Sequence, residues 1–150
     1  MLKGVPSVLS PELLKVLAEM GHGDEIVIGD MHYPAAGTAK NILVRADGIG
    51  SVKLIDAILQ MMTLDHSVEK PFMIMQKQAC DAHLDLPVHE EYFKLAEKYD
   101  KRGRDAVGYI DRFEFYERAA KAYAVVASGE LSFYGCTILK KGTVPPEDVI

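Results

Sequence analysis

Cysteine is scarce in this sequence. Cys80 and Cys136 are the only two, far apart and outside any Cys-x-x-Cys or Cys/His zinc spacing. A disulfide framework and a zinc module are thereby excluded, and reduced thiols in the cytoplasm are the expectation. Basic clusters are lacking as well. With a net charge of -5 and no Lys/Arg block, the chain has no concentrated basic face for phosphates, which excludes nucleic acid as a partner. No apolar run approaches the ~18 residues of a membrane span. The opening Met1-Leu2-Lys3-Gly4-Val5-Pro6 has none of the apolar core of a signal peptide. A soluble cytoplasmic protein without a membrane partner is expected. Internal repeats, low-complexity tracts and linkers are absent too.

What is present suits one packed domain spanning residues 1–150, because 49% hydrophobic and 26% charged residues match a folded globular chain. Ser10-Pro11-Glu12 supplies a capping hydroxyl and a proline at the first helical position, and Leu13, Leu14, Leu17 and Met20 follow with helical spacing. Gly21 and Gly23 end that helix. The short β-branched run Glu25-Ile26-Val27-Ile28 reads as a buried strand, so His22 falls in a helix-to-strand turn and Asp30 at the strand's far end. Strands are also predicted at Ile42–Ala46, Phe72–Met75, Ala106–Ile110, Tyr123–Ala127 and Tyr134–Leu139, with Pro34–Gly37 as a loop. Helices are predicted with Ser51 as a cap, over roughly 87 to 101, and with Asp111 as a cap, where Phe115, Ala119 and Ala122 would form the apolar face. Helices alternating with buried strands predict an α/β sheet covered on both faces.

Two residues stand out chemically. The flanking glycines leave the His22 imidazole uncrowded, and an imidazole, titrating near ~6.5 in water, can give and take protons at neutral pH. Asp30 could orient that ring or hold a hydroxyl. The plainer alternative places His22 at a helix C-terminus with no catalytic duty. His32, two positions after Asp30, could join it and His22 in imitating a metal site, but three such ligands without a recognised spacing are commonly coincidental, and no metal is expected. His66, His83 and His89 lie in polar stretches and read as solvated.

Taken together, the run from Ser10 to Glu25 with its Met20-Gly21-His22-Gly23-Asp24 turn, Arg45-Ala46-Asp47-Gly48, Ile110-Asp111-Arg112-Phe113, Phe115-Tyr116-Glu117-Arg118-Ala119, Tyr134-Gly135 and Leu139-Lys140-Lys141-Gly142 resembles the fucose mutarotase branch of the ribose-pyranase/fucose-mutarotase family. The resemblance covers nearly the whole chain and is poorest from about Asp65 to Asp105. It implies a three-layer α/β/α fold assembled into a homo-oligomeric ring, usually a decamer, with sites at subunit boundaries. It also implies an isomerase that exchanges the α and β anomers of L-fucose or a similar free monosaccharide, with no metal or organic cofactor. Carried over by position, the general acid falls on His22 and a sugar-binding carboxylate on Asp30. Arg112 becomes a sugar-contacting position, and Tyr134, Gly135 and Cys136 form a sugar-binding tripeptide. Cys136 departs from the family pattern, in which Asn is usual, so a backbone contact there would survive while a side-chain amide bond would not. The matching position to Arg112 looks like His in the ribose branch, which makes Arg112 an expected source of sugar preference. Two alternatives accompany this reading: a sugar-binding or transport-associated module without catalysis, and a D-ribose pyranase.

Overall fold

The computed structural model describes residues 2–150. The helices are α1 (Pro11–Glu19), α2 (Ala35–Thr38), α3 (Ser51–Met61), α4 (Pro87–Tyr99) and α5 (Arg112–Lys121). The strands are β1 (Glu25–Gly29), β2 (Ile42–Ala46), β3 (Phe72–Met75), β4 (Val107–Ile110), β5 (Ala124–Ser128) and β6 (Thr137–Lys140). They form one six-stranded sheet in the order β2-β5-β1-β6-β3-β4.

Most neighbours run parallel: β2 with β5, β5 with β1, and β3 with β4. β6 alone runs against them and joins β1 to β3. Chain length explains the exception. A parallel return needs a crossover of about a dozen residues, whereas residues 129–136 suffice only to cross the end of β1 and reverse. In crossing, this segment accepts the Met31 amide on the Glu130 carbonyl at 2.9 Å, and so lies against Asp30.

Alternation along the strands divides the core in two. Ile26 and Ile28 of β1, Phe72 and Ile74 of β3 and Val126 of β5 face α1, α3 and α4, meeting Leu13, Leu17, Leu54, Ile58, Tyr92 and Leu95. Val27, Val125 and Ile138 point the other way, onto Ala35 of α2 and Phe115 and Ala119 of α5. Burial on both faces is why these strands read as continuous apolar runs. Ser10 caps α1 by accepting the Leu13 amide at 3.1 Å, and Asp111 caps α5 by accepting the Phe113 amide at 2.9 Å, as their residue types lead one to expect.

Several local expectations are corrected. β6 begins at Thr137 rather than Tyr134, because Tyr134 has φ 55°, a left-handed backbone that no strand accommodates. The 34–37 loop winds into α2, supported by the Thr38 hydroxyl on the Pro34 carbonyl at 2.8 Å. Ser51 opens α3, yet its hydroxyl serves Glu130 instead of capping the helix. His89, read as solvated, is buried on the inner face of α4 with Val88, Tyr92, Leu95 and Ala96.

Candidate active site

Ligand sites in open α/β sheets lie beyond the carboxyl ends of the strands. Here Asp30 after β1, Met75 at the end of β3 and Arg112 just past β4 border a pocket of about 350 Å³ with Tyr134 and Cys136 ahead of β6. Asp81, Tyr116, Phe133 and Leu84 complete much of its wall. A volume near the lower end of the ~300–1,000 Å³ typical of small-molecule sites, with polar groups set into an apolar and aromatic lining, suits a small polyhydroxylated ligand.

Asp30 is 8% exposed, and each part of it is held. Oδ1 accepts the His32 amide at 3.0 Å, while Oδ2 accepts the Cys136 thiol at 3.3 Å. The Asp30 amide in turn donates to the Cys136 sulfur at 3.3 Å. Burial, reinforced by the charge of Asp30, pushes the Cys136 thiol well up, so it stays protonated and donates. Cys136 thus supplies one donor at the position where the family pattern has an amide.

The Tyr134-Gly135-Cys136 backbone is fastened at every carbonyl. His89 Nε2 donates to the Tyr134 carbonyl at 2.9 Å, the Tyr92 hydroxyl to Gly135 at 2.9 Å, and the Met75 amide to Cys136 at 3.0 Å. Behind them, the Ser51 hydroxyl lies 2.6 Å from both the Tyr92 hydroxyl and the Glu130 carboxylate. Burial works to raise the Glu130 pKa, but donors from Ser51 and Ser132 outweigh it and hold the carboxyl below its usual range. Gly135 has no room for a side chain, since a Cβ would stand 2.7 Å from Glu130 Cγ. The Tyr134 hydroxyl donates to Asp81 and accepts the Gln78 amide. Burial first, then the Asp81 bond, raises its pKa.

Arg112 begins α5, where a cation opposes the helix dipole. It is held instead by Gln78 Oε1 at 3.1 Å and by the Tyr116 ring, whose centroid is 5.7 Å from the guanidinium carbon. His32 is exposed and stacks on Phe133. Among the described residues, no group of three or more His, Cys, Asp or Glu is arranged to hold a metal ion.

His22 is elsewhere. It precedes β1 and Asp30 follows it, so the five-residue strand separates them by about 16 Å at ~3.3 Å per residue. Within one chain the structure does not bring His22 and Asp30 together. The His22 ring is half exposed, with Nε2 at 3.0 Å from Asp65 Oδ1.

Asp81, His89, Tyr92 and Glu130 were not singled out from sequence. The signal for two of them was there: Val88, Tyr92, Leu95 and Ala96 mark a buried helical stripe, and His89 falls on it three residues before Tyr92. Burial lowers the His89 pKa below its ordinary value, with the Tyr134 carbonyl opposing. A depressed histidine takes up its proton first in the unfolded chain, so stability falls as pH drops below ~6.5 toward the folded-state value. The Tm of the wild type is expected to fall more steeply between neutral and mildly acidic pH than that of His89→Gln. Equal slopes in thermal scans would show that His89 is not the source.

A mixed-sheet, three-layer α/β domain with a small pocket of anchored polar groups at its strand ends has the form of a small-ligand-binding domain. More narrowly, the chain belongs to the RbsD / FucU transport protein family, whose model matches residues 3–144. It is 50% identical over 145 residues to the L-fucose mutarotase of Glaesserella parasuis serovar 5 (strain SH0165), covering 97% of each chain. The crystal structure of the fucose mutarotase from Streptococcus pneumoniae in complex with L-fucose superimposes with a TM-score of 0.90 at 42% identity, over 96% of this chain and 100% of that one. Bacillus subtilis RbsD complexed with D-ribose shares the fold at TM-score 0.73 and 21% identity, over 97% of this chain and 100% of that one.

Proposed function

We propose that the protein is a mutarotase that interconverts the α and β anomers of free L-fucose, acting as one domain over residues 1–150. The observation that carries this reading is the anchored pocket at Asp30 and Tyr134-Gly135-Cys136, in a chain half identical to an L-fucose mutarotase. Asp30 receives sugar hydroxyls, Arg112 donates to others, and Tyr134 supplies a wall and a hydroxyl. The tripeptide presents its fixed backbone beside them.

Ring opening needs a proton on the ring oxygen and removal of the proton from the anomeric hydroxyl. The C1–O5 bond then breaks, the carbonyl turns about C1–C2, and reclosure on its other face gives the second anomer. No metal or organic cofactor is needed for these steps. His22 is the proton donor in this reading. Since it lies a strand's length from its own pocket, it serves the pocket of a neighbouring copy. Exposed Met31, Phe113, Leu131 and Phe133 offer apolar surface for such a neighbour, and closed rings cover surface of this kind without leaving open edges. A homo-oligomeric ring, decameric by the family resemblance and working in the cytoplasm, completes the proposal.

Saturation transfer between the anomeric protons of L-fucose tests it. The protein is expected to speed exchange, and more for L-fucose than for D-ribose, with Arg112→His narrowing the difference about tenfold, because a hydrogen bond from a charged donor contributes ~1.5–3 kcal/mol. Absence of acceleration would favour a non-catalytic sugar-binding module. Equal rates with both sugars would overturn the fucose preference.

A further inference from the structure

His89 is not among the residues lining the pocket at Asp30, yet it reaches the one on which the shape of that pocket depends. Resting on Tyr134 as a sugar contact, we infer that His89 is a positioning residue: its bond to the Tyr134 carbonyl keeps Tyr134 in the left-handed conformation that turns its side chain into the pocket, and so sets the affinity for the sugar.

Tyr134 needs a restraint. With φ 55° it is the one non-glycine among the described residues in the left-handed region, where the Cβ of an L-residue crowds the following carbonyl. A glycine would adopt this conformation freely, but it would bring neither ring nor hydroxyl to the pocket. The neighbouring glycine is committed elsewhere, since Gly135 fits against Glu130 where a Cβ cannot. Packing around Tyr134 gives little help. Leu131 and Phe133 are 71% and 60% exposed, and Tyr134 itself is only partly buried. A residue held uphill in this way persists only where its surroundings over-determine it.

His89 supplies the restraint from a buried and rigid mount. It is 7% exposed, in the first turn of α4, and its ring stacks on Tyr92 with centroids 6.2 Å apart and tilts against Tyr109 at 5.6 Å. Nε2 stands 2.9 Å from the Tyr134 carbonyl, which only accepts, so Nε2 carries a hydrogen. Burial favours the neutral ring, and its Nδ1 accepts the Tyr109 hydroxyl at 3.3 Å. With both nitrogens engaged, the ring cannot turn without losing both bonds. Tyr109 belongs to β4, so the restraint runs from the sheet through the imidazole to Tyr134. The bond from the Tyr134 hydroxyl to Asp81 fixes the other end of the same residue.

The consequence falls on binding rather than on the proton transfers. Without the Nε2 bond, the Tyr134 carbonyl is free to turn toward solvent and the residue drops into an extended well, taking its hydroxyl off Asp81. A pocket that is competent in about one molecule in ten binds about 10-fold more weakly. Once bound, the sugar restores the conformation, and the chemistry proceeds as before.

The test uses the intact oligomer and two amide variants. The amide nitrogen of Gln reaches the place of Nε2, whereas that of Asn, one methylene shorter, falls near Nδ1 and cannot reach the carbonyl. His89→Asn is expected to raise the KM for L-fucose exchange and the calorimetric Kd about 10-fold with kcat within about 2-fold, and His89→Gln to stay within about 3-fold of the wild type in all three. His89→Phe, which keeps the ring packing and lacks the donor, should follow His89→Asn. Crystal structures should show Tyr134 still left-handed in His89→Gln and extended in His89→Asn. A His89 that only stabilised the fold would lower the Tm of the Asn and Phe variants and leave KM unmoved, and that result overturns the inference. A fall in kcat at unchanged KM overturns it as well. So does a Tyr134 that stays left-handed on Asp81 in His89→Asn or His89→Phe, a result read without any activity measurement. A wild type that neither binds nor exchanges L-fucose would sink the proposed function, and the role of His89 in sugar affinity with it.

Discussion

Replacing His22 with alanine is expected to slow L-fucose anomer exchange by about 10²- to 10⁴-fold, the range that one positioned acid/base group contributes. Sugar affinity should stay within a few-fold, because none of the residues lining the pocket is His22. The fold should also survive. His22 is half exposed, touches no core cluster and makes one side-chain hydrogen bond, to Asp65, which keeps both Ser67 donors when the ring is gone. Surface changes of this kind usually move stability by less than ~0.5 kcal/mol. Saturation-transfer NMR gives the rate, calorimetric titration the affinity, and a thermal scan the integrity. An unchanged exchange rate would remove His22 from the mechanism, and a parallel loss of binding would recast it as a sugar contact.

The separation of His22 from Asp30 could have been read from the chain itself. Glu25 to Ile28 is a β-branched run, and a strand lying between two residues sets them at opposite ends of a sheet. What sequence could not carry was the set of contacts that make the pocket. The left-handed Tyr134 has a side chain that predicts nothing of the kind. Its carbonyl is held by His89 and its hydroxyl by Asp81, residues brought close only by the sheet order β6-β3-β4. Helices with caps and stripes were legible because their signals are local: Ser10 before Pro11, and Asp111 before the stripe through Phe115 and Ala119. The Ser51, Tyr92 and Glu130 chain joins three distant segments, and local rules misassigned Ser51 as a cap for that reason. Cys136 shows the same limit. Its departure from the family pattern was visible, but its bond to Asp30 emerges only where the chain crosses the end of β1.

Asp30→Asn is expected to be as damaging to exchange as loss of His22, but by another route. The amide keeps an oxygen for the His32 amide, so the turn after β1 holds, while the charge that sugar hydroxyls would bind is removed. Hydrogen bonds to a charged acceptor contribute ~1.5–3 kcal/mol, so affinity for L-fucose should fall by about 10- to 100-fold, with exchange falling further. The two variants together then test where the proton donor comes from. A His22→Ala subunit carries an intact pocket and an Asp30→Asn subunit an intact imidazole. Because β1 keeps these residues about 16 Å apart in each chain, mixing the two inactive oligomers under conditions that exchange subunits should restore activity at about one site in four, the fraction in which a sound pocket meets a neighbour's His22. Native mass spectrometry verifies that subunits have mixed, and NMR reads the exchange. If mixed oligomers form and remain inactive, His22 does not act across a subunit boundary, and the proposed division of the site between neighbours is wrong.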